Sequence, residues 1–167
     1  MKSPDTNVEF VITRVFNAPR DLVFKTMTET EHLQKWWGPK GCTIEVARHE
    51  PRAGGVFHYR MVFPGGVDMW GKFQYREITA PERIVFINGF ADAQGNSIRN
   101  PMSPSWPLEM LITTTLVEQG GKTALTLRSQ PINASELERQ TFLAGHASMQ
   151  QGFGGMYDQY EEYLATL

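Results

Sequence analysis

Towards the end of the chain, apolar side chains recur at helical spacing: Phe142, Met149, Phe153, Met156, Tyr160, Leu164 and Leu167. Steps of three, four and seven keep them on one face of a 3.6-residue helix. The pattern predicts one long amphipathic helix from Ala134 to Leu167. Ser135-Glu136-Leu137-Glu138 reads as its capping box, with the Ser135 hydroxyl accepting from the third helical amide and Glu138 reaching back. A helix of about 30 residues is about 45 Å long and crosses a small domain. It cannot bury its stripe alone. Most of the preceding chain is strand-like, which predicts a curved sheet gripping the helix.

Residues 8–16 are β-branched and aromatic and read as a first strand. Pro19 opens a short helix over 20–27, and a second, over 30–37, ends at Gly38-Pro39. Trp36 and Trp37 span more than one face. Either both are core, or one packs inward and the other reaches the mouth of a pocket. A strand over 42–48 follows, then a hairpin of 54–63 and 67–78 around Pro64-Gly65-Gly66. A turn at Gly65 pairs Phe57 with Phe73, Tyr59 with Gly71 and Met61 with Met69 on one apolar face, continued by Tyr75. His58, Arg60, Lys72, Gln74 and Arg76 then face solvent, so His58 is not expected in a site. Trp70 falls on that outer face too and calls for cover, either by a loop or by another chain, as in a homodimer.

Residues 83–90 form another strand, with Phe86, Asn88 and Phe90 on one face and Asn88 as its polar member. The Pro-rich stretch 91–107, with Trp106, reads as a long irregular loop, a common form for a pocket lid. A last hairpin, 108–118 with 122–130, closes at Gly120-Gly121. It pairs Leu116 with Leu125, Thr114 with Leu127 and Ile112 with Ser129. Met110 extends that face, and Glu109 lies opposite it. No repeat or linker divides the chain, so residues 1–167 read as a single domain.

Two features interrupt the helical stripe. Glycines at 145, 152, 154 and 155 each cost about 1 kcal/mol against Ala in a helix interior. They mark close packing, a kink near Gly154, or room left for a ligand. His146 lies on the stripe between Phe142 and Met149. It is either a packed histidine or the polar group of a cavity.

Composition narrows the function classes. A 41% hydrophobic and 20% charged chain fits a soluble globular protein. A net charge of −2 gives no electrostatic case for nucleic acid or an anionic membrane. Met1–Asn7 is polar with no apolar signal core, and no run is long enough to span a membrane, so the expected location is the cytoplasm. Cys42 stands alone, which rules out an internal disulfide. The Asn133-Ala134-Ser135 sequon is better explained by the cap.

No phosphate-cradling glycine loop, zinc spacing, nucleophile elbow or paired inner-face carboxylates occur. The residues therefore call for no cofactor and no metal, and they argue for a binding protein over an enzyme.

The element order, strand, two short helices, antiparallel strands and a long terminal helix, is an α+β helix-grip arrangement of about seven strands. Six stretches carry a closer likeness: Arg14 to Arg20, Trp36-Trp37-Gly38-Pro39, Pro51 to Gly55, Tyr75 to Ile78, Pro81 to Phe86, and Gly152-Phe153-Gly154-Gly155. In these the chain resembles the family called activator of heat shock protein 90 ATPase homologue 1-like. That family lies in the START-like (SRPBCC) superfamily, with polyketide cyclases and lipid-transfer domains. The resemblance implies a hydrophobic cavity between sheet and long helix, and it carries no catalytic set.

The expected ligand is a small apolar or aromatic molecule. Its expected contacts are Trp37, Phe57, Tyr59, Met61, Phe73, Phe86, Asn88, Phe90, His146, Met149 and Phe153, with Asn88 and His146 orienting its polar end. A cyclase- or hydrolase-type enzyme using His146 is the alternative, and a stress-related or co-chaperone-like interaction domain is a third.

Overall fold

A computed structural model describes residues 8–167; the polar stretch Met1–Asn7 lies outside the described residues. The elements run β1 (Phe10–Phe16), α1 (Arg20–Thr28), α2 (Thr30–Trp36), β2 (Thr43–His49), β3 (Val56–Val62), β4 (Asp68–Thr79), β5 (Arg83–Ala91), β6 (Ser97–Ile98), β7 (Met110–Gln119), β8 (Lys122–Pro131), α3 (Glu136–Ala144) and α4 (His146–Leu164). Seven strands form one antiparallel sheet in the order β1-β8-β7-β5-β4-β3-β2, and β6 pairs beside β5. This is the α+β helix-grip fold expected from the sequence.

Both hairpins adopt the expected registers. Phe57 pairs with Phe73, Tyr59 with Gly71 and Met61 with Met69. Leu116 pairs with Leu125, Thr114 with Leu127 and Ile112 with Ser129. The turns sit on Gly65, Gly66, Gly120 and Gly121, all with positive φ, which L side chains rarely adopt. Register shifts between Val46 and Arg48, and between Tyr75 and Glu77, act as bulges that bend the sheet.

The helical region differs from the single rod expected. Gly145 (φ −88°, ψ 0°) caps α3 and precedes α4, so the chain breaks there and not near Gly154. Space explains the position: a Cβ at Gly145 would come within 2.8 Å of the Trp106 ring, which also packs on Phe142 at 5.3 Å. The capping box is present, with Glu138 N–H donating to Ser135 Oγ at 3.1 Å and Ser135 N–H to Glu138 Oε1 at 2.8 Å. Leu167, placed on the stripe by spacing, is exposed past the end of α4.

The second half of α4 is clamped. Met156, Tyr157, Tyr160 and Leu164 are buried. Trp36 packs on Tyr160 at 4.2 Å, and Phe16 meets Tyr160 edge-on at 4.9 Å. The Tyr160 hydroxyl shares a 2.6 Å hydrogen bond with Thr26 Oγ1 inside this cluster. At the rim Arg14 pairs with Asp158 at 2.5 Å and with Glu161 at 3.2 Å.

The loop 91–107 is not free coil. β6 pairs Phe90 with Ile98, and Ser105 and Trp106 strap the loop to α3 through Thr141 and Phe142. Its first turn covers the sheet's outer face. There His58, expected in solvent, is only 7% exposed: it stacks on Trp70 at 4.8 Å, and its Nε2–H donates to the Asp92 carbonyl at 2.9 Å. Cover for Trp70 therefore comes from the same chain.

Replacing Tyr160 by Phe keeps the ring packing and removes the hydroxyl bonded to Thr26. The expected loss is about 0.5–1.5 kcal/mol, read as a lower urea midpoint with an unchanged m-value.

Candidate functional site

A cavity of about 230 Å³ lies under the first half of α4. Its walls come from the segment after α2 (Trp37, Gly38, Pro39), from β3 and β4 (Tyr59, Met61, Gly71), from β5 and β7 (Asn88, Gly89, Phe90, Met110) and from α4 (Met149, Gly152, Phe153, Met156). Its position follows from strand pairing. β5 bonds to β7 only as far as Asn88–Met110, and beyond that point β6 takes over at Phe90–Ile98. The sheet opens where β7 leaves, and Asn88, Gly89, Phe90 and Met110 face that opening.

Glycines keep the space clear in two ways. A Cβ on Gly71 would lie 2.6 Å from the Tyr59 hydroxyl, so the bare backbone is what lets the phenol lie across it. A Cβ on Gly152 meets nothing within 4 Å. Of the helical glycines, Gly145 thus answers to close packing, whereas Gly152 borders open space. Four methionines, Met61, Met110, Met149 and Met156, complete a deformable apolar lining.

Tyr59 is the lining's one titratable side chain. Burial pushes its phenol up to about 12, while the neighbouring Trp37 and Asn88 side chains pull it back. The cavity wall is therefore uncharged near neutral pH. Asn88 Nδ2 donates to the Lys72 carbonyl at 3.1 Å and, at 3.5 Å, towards the Tyr59 hydroxyl.

Seven of the residues expected at the site, Trp37, Tyr59, Met61, Asn88, Phe90, Met149 and Phe153, line this cavity. Phe57, Phe73 and Phe86 do not. They form a solid layer behind it, with Phe73 stacked on Phe86 at 3.8 Å, Phe57 on Tyr59 at 4.6 Å, and the Trp37 edge on Phe73 at 4.8 Å. Phe73 and Phe86 border only a void of about 20 Å³, room for about one water.

His146 is also outside the lining. Its Nε2–H donates to the Val8 carbonyl at 2.8 Å, between the edges of Phe10 and Phe142. It ties the start of α4 to the chain ahead of β1, and the expected cavity histidine is corrected to a packed one. No residue of 91–107 lines the cavity either, so the loop is a strap on α3 and not a lid.

Gly38, Pro39, Gly71, Gly89, Met110, Gly152 and Met156 also line the cavity and are not among the contacts the sequence singles out. Met110 and Met156 fall on apolar faces by spacing, but nothing in that spacing separates a cavity wall from filled core. Elsewhere, Glu29, Glu31 and His32 bring ligand atoms within 4.8 Å of one another, the two carboxylates exposed, with His32 Nδ1 bonded to the Tyr163 hydroxyl at 2.6 Å. Cys42 is half-buried, and burial raises its thiol above the ordinary value, away from the reactive thiolate.

Residues 17–165 match the model of the family described as Activator of Hsp90 ATPase homolog 1-like protein. The chain belongs to this family. Among solved structures, one from Mycobacterium smegmatis is 24% identical, covers 97% of this chain and 94% of its own, and superposes with a TM-score of 0.77. A solution structure from Arthrobacter aurescens is 26% identical over 99% of this chain and 92% of its own, with a TM-score of 0.80. Another, from Staphylococcus epidermidis, is 25% identical over 99% and 94%, with a TM-score of 0.77. No curated protein matches the chain. Family membership and these likenesses agree with the helix-grip architecture described above. Among the described residues no helix is long and apolar enough to cross a membrane.

Two glycines on one cavity should respond to the same substitution with opposite signs. Gly71→Ala forces the Tyr59 ring to move and should cost about 1–3 kcal/mol. Gly152→Ala enters open space on a helix and should gain about 0.5–1 kcal/mol. Thermal and urea denaturation of the two variants read both signs.

Tyr59 gives a second expectation. Its folded pKa, about 12, lies above the ordinary 10 of an unfolded chain. The stability held by the neutral buried phenol is whole below about pH 10 and is lost as pH rises towards 12. An ultraviolet titration should show the Tyr59 phenolate forming only at that higher pH, and Tyr59→Phe should flatten the alkaline fall in stability.

Proposed function

We propose that this protein is a cytoplasmic carrier or sensor that binds a small, neutral, apolar or aromatic molecule in the cavity beneath α4. The single observation that carries the reading is the cavity itself: about 230 Å³ bounded by aromatic rings, methionines and bare glycine backbone. An apolar cavity of roughly 150 Å³ accommodates benzene. This one has space for a one- or two-ring molecule and is too small for a long acyl chain. Affinity would come from apolar area removed from water, about 25 cal/mol per Å² before ordering costs.

The lining also favours binding over acid–base chemistry. Its one titratable group is a phenol held neutral well above physiological pH. His146, the histidine on which a cyclase- or hydrolase-type reaction would have relied, is spent on the Val8 carbonyl.

Gly152→Leu tests the reading. Gly152 lines the cavity where it opens to solvent, so the new side chain should cover or enter that opening without unfolding the helix. The wild-type protein should gain thermal stability with a one- or two-ring aromatic, following mass action. The variant should keep or raise its basal melting temperature and lose that gain. A wild-type melting temperature that no such compound raises, or an equal gain in Gly152→Leu, would overturn the proposal.

A further inference from the structure

Of the polar side chains on the cavity wall, Trp37, Tyr59 and Asn88, the last two have unused valences that are complementary. The Lys72 carbonyl can only accept, so the Asn88 nitrogen must face it, and the contact at 3.1 Å fixes which end of the amide is oxygen. With Nδ2 given to Lys72 and, more weakly, to Tyr59, the Asn88 Oδ1 receives no donor among the described residues. The Tyr59 hydroxyl has the opposite need. It takes the Asn88 amide proton at 3.5 Å and is pulled on by Trp37, but no protein acceptor takes its own proton among the described residues. Tyr59 is nevertheless only 3% exposed. Buried polar groups are rarely left half-paired without a reason.

The two groups therefore offer one donor and one acceptor, close together, on a wall that is otherwise apolar. No cationic or anionic side chain stands on that wall to neutralise a charged ligand. A carboxylate or ammonium would have to be buried unpaired, at a cost of several kcal/mol. Rings border the space on several sides, at Trp37, Tyr59, Phe90 and Phe153, which suits a flat partner.

We propose that the ligand is an uncharged planar ring compound bearing a hydroxyl group, which accepts from the Tyr59 hydroxyl and donates to the Asn88 amide oxygen. This rests on the binding reading above and specifies the ligand class within it. The ring system fills the Met- and Phe-lined part of the cavity, and the hydroxyl anchors it at the point where β7 parts from β5.

The test measures binding of four probes of one size by calorimetry: a naphthol, its methyl ether, naphthalene and naphthoate. Naphthol should bind about tenfold or more tightly than naphthalene, since each site group left unpaired lowers affinity by about that factor. The methyl ether accepts but cannot donate, and should fall below naphthol. Naphthoate should bind weakest of the four. Tyr59→Phe should bring the methyl ether down to naphthalene and shrink the advantage of naphthol to its Asn88 contact, while leaving naphthalene binding unchanged. Should Tyr59→Phe fold poorly by circular dichroism, Asn88→Leu replaces it, and it should bring naphthol down to its methyl ether.

Equal binding of naphthol, ether and naphthalene would overturn the hydroxyl proposal and leave the apolar cavity reading standing. Tightest binding by naphthoate would overturn the requirement for an uncharged ligand. Binding by none of the four would overturn both.

Discussion

The hold on the second half of α4 is what the rest of the structure depends on. Tyr160 places its hydroxyl against Thr26 and its ring against Trp36 and Phe16, so one side chain joins α4 to α1, to the end of α2 and to β1. Tyr157 and Met156 are buried beside it. Because the helix is fixed there, its first half need not lie flat on the sheet. Met149 and Phe153 are only half-buried, and the gap they span is the cavity.

Such a gap has an energetic meaning. The cavity opens to solvent beside Gly152, so the roughly 24 cal/mol per Å³ that a dry, enclosed void costs sets only an upper bound of about 5 kcal/mol. Larger side chains could have reduced it, since Gly152 has empty space beside it. The sheet contributes as well: β7 stops pairing with β5 at Asn88, and a Cβ on Gly89 would come within 2.6 Å of the Leu108 carbonyl. Bare backbone at 71, 89 and 152, flexible methionines and a strand that turns away act together. They leave apolar surface uncovered on the cavity wall.

The parts of this arrangement that follow from short-range rules were legible in the sequence. Both hairpin registers followed from alternation and from glycine pairs at the turns, because a slip of one residue would turn every core side chain to solvent. The capping box at Ser135 was equally local. What was not legible depends on partners far away in the chain. The break at Gly145 is set by Trp106, about forty residues earlier, whose ring needs the space of a Cβ. Helical phase counted across that break placed His146 on the inner stripe, and the same break turns it to the Val8 carbonyl. His58 was assigned correctly to the outer face, but alternation cannot show that a turn from Asp92 will cover it. Alternation likewise gives Phe57, Phe73 and Phe86 the same face as Tyr59 and Asn88. Whether a residue on that face meets a cavity or another ring depends on where α4 stands off, and no periodicity records that.

Grip and cavity therefore occupy successive parts of one helix that meet at Met156, and this largely separates what holds the fold from what borders the cavity. Tyr157, Tyr160 and Leu164 hold the fold through buried contacts and have little to do with the cavity lining. Met149, Gly152 and Phe153 face the cavity and are not fully buried, so they can vary in size with a smaller effect on the fold. Tyr59 and Asn88 sit between the two roles. Their ladder neighbours, Gly71 for Tyr59 and Phe73 for Asn88, fix the backbone, while their polar ends remain at the cavity wall. A sheet position whose backbone is fixed by pairing and whose side-chain end is free is rigid enough to orient a ligand group. Under the binding role proposed above, changes at a few such ends would alter which molecule the cavity takes, with the clamp at Tyr160 left as it is.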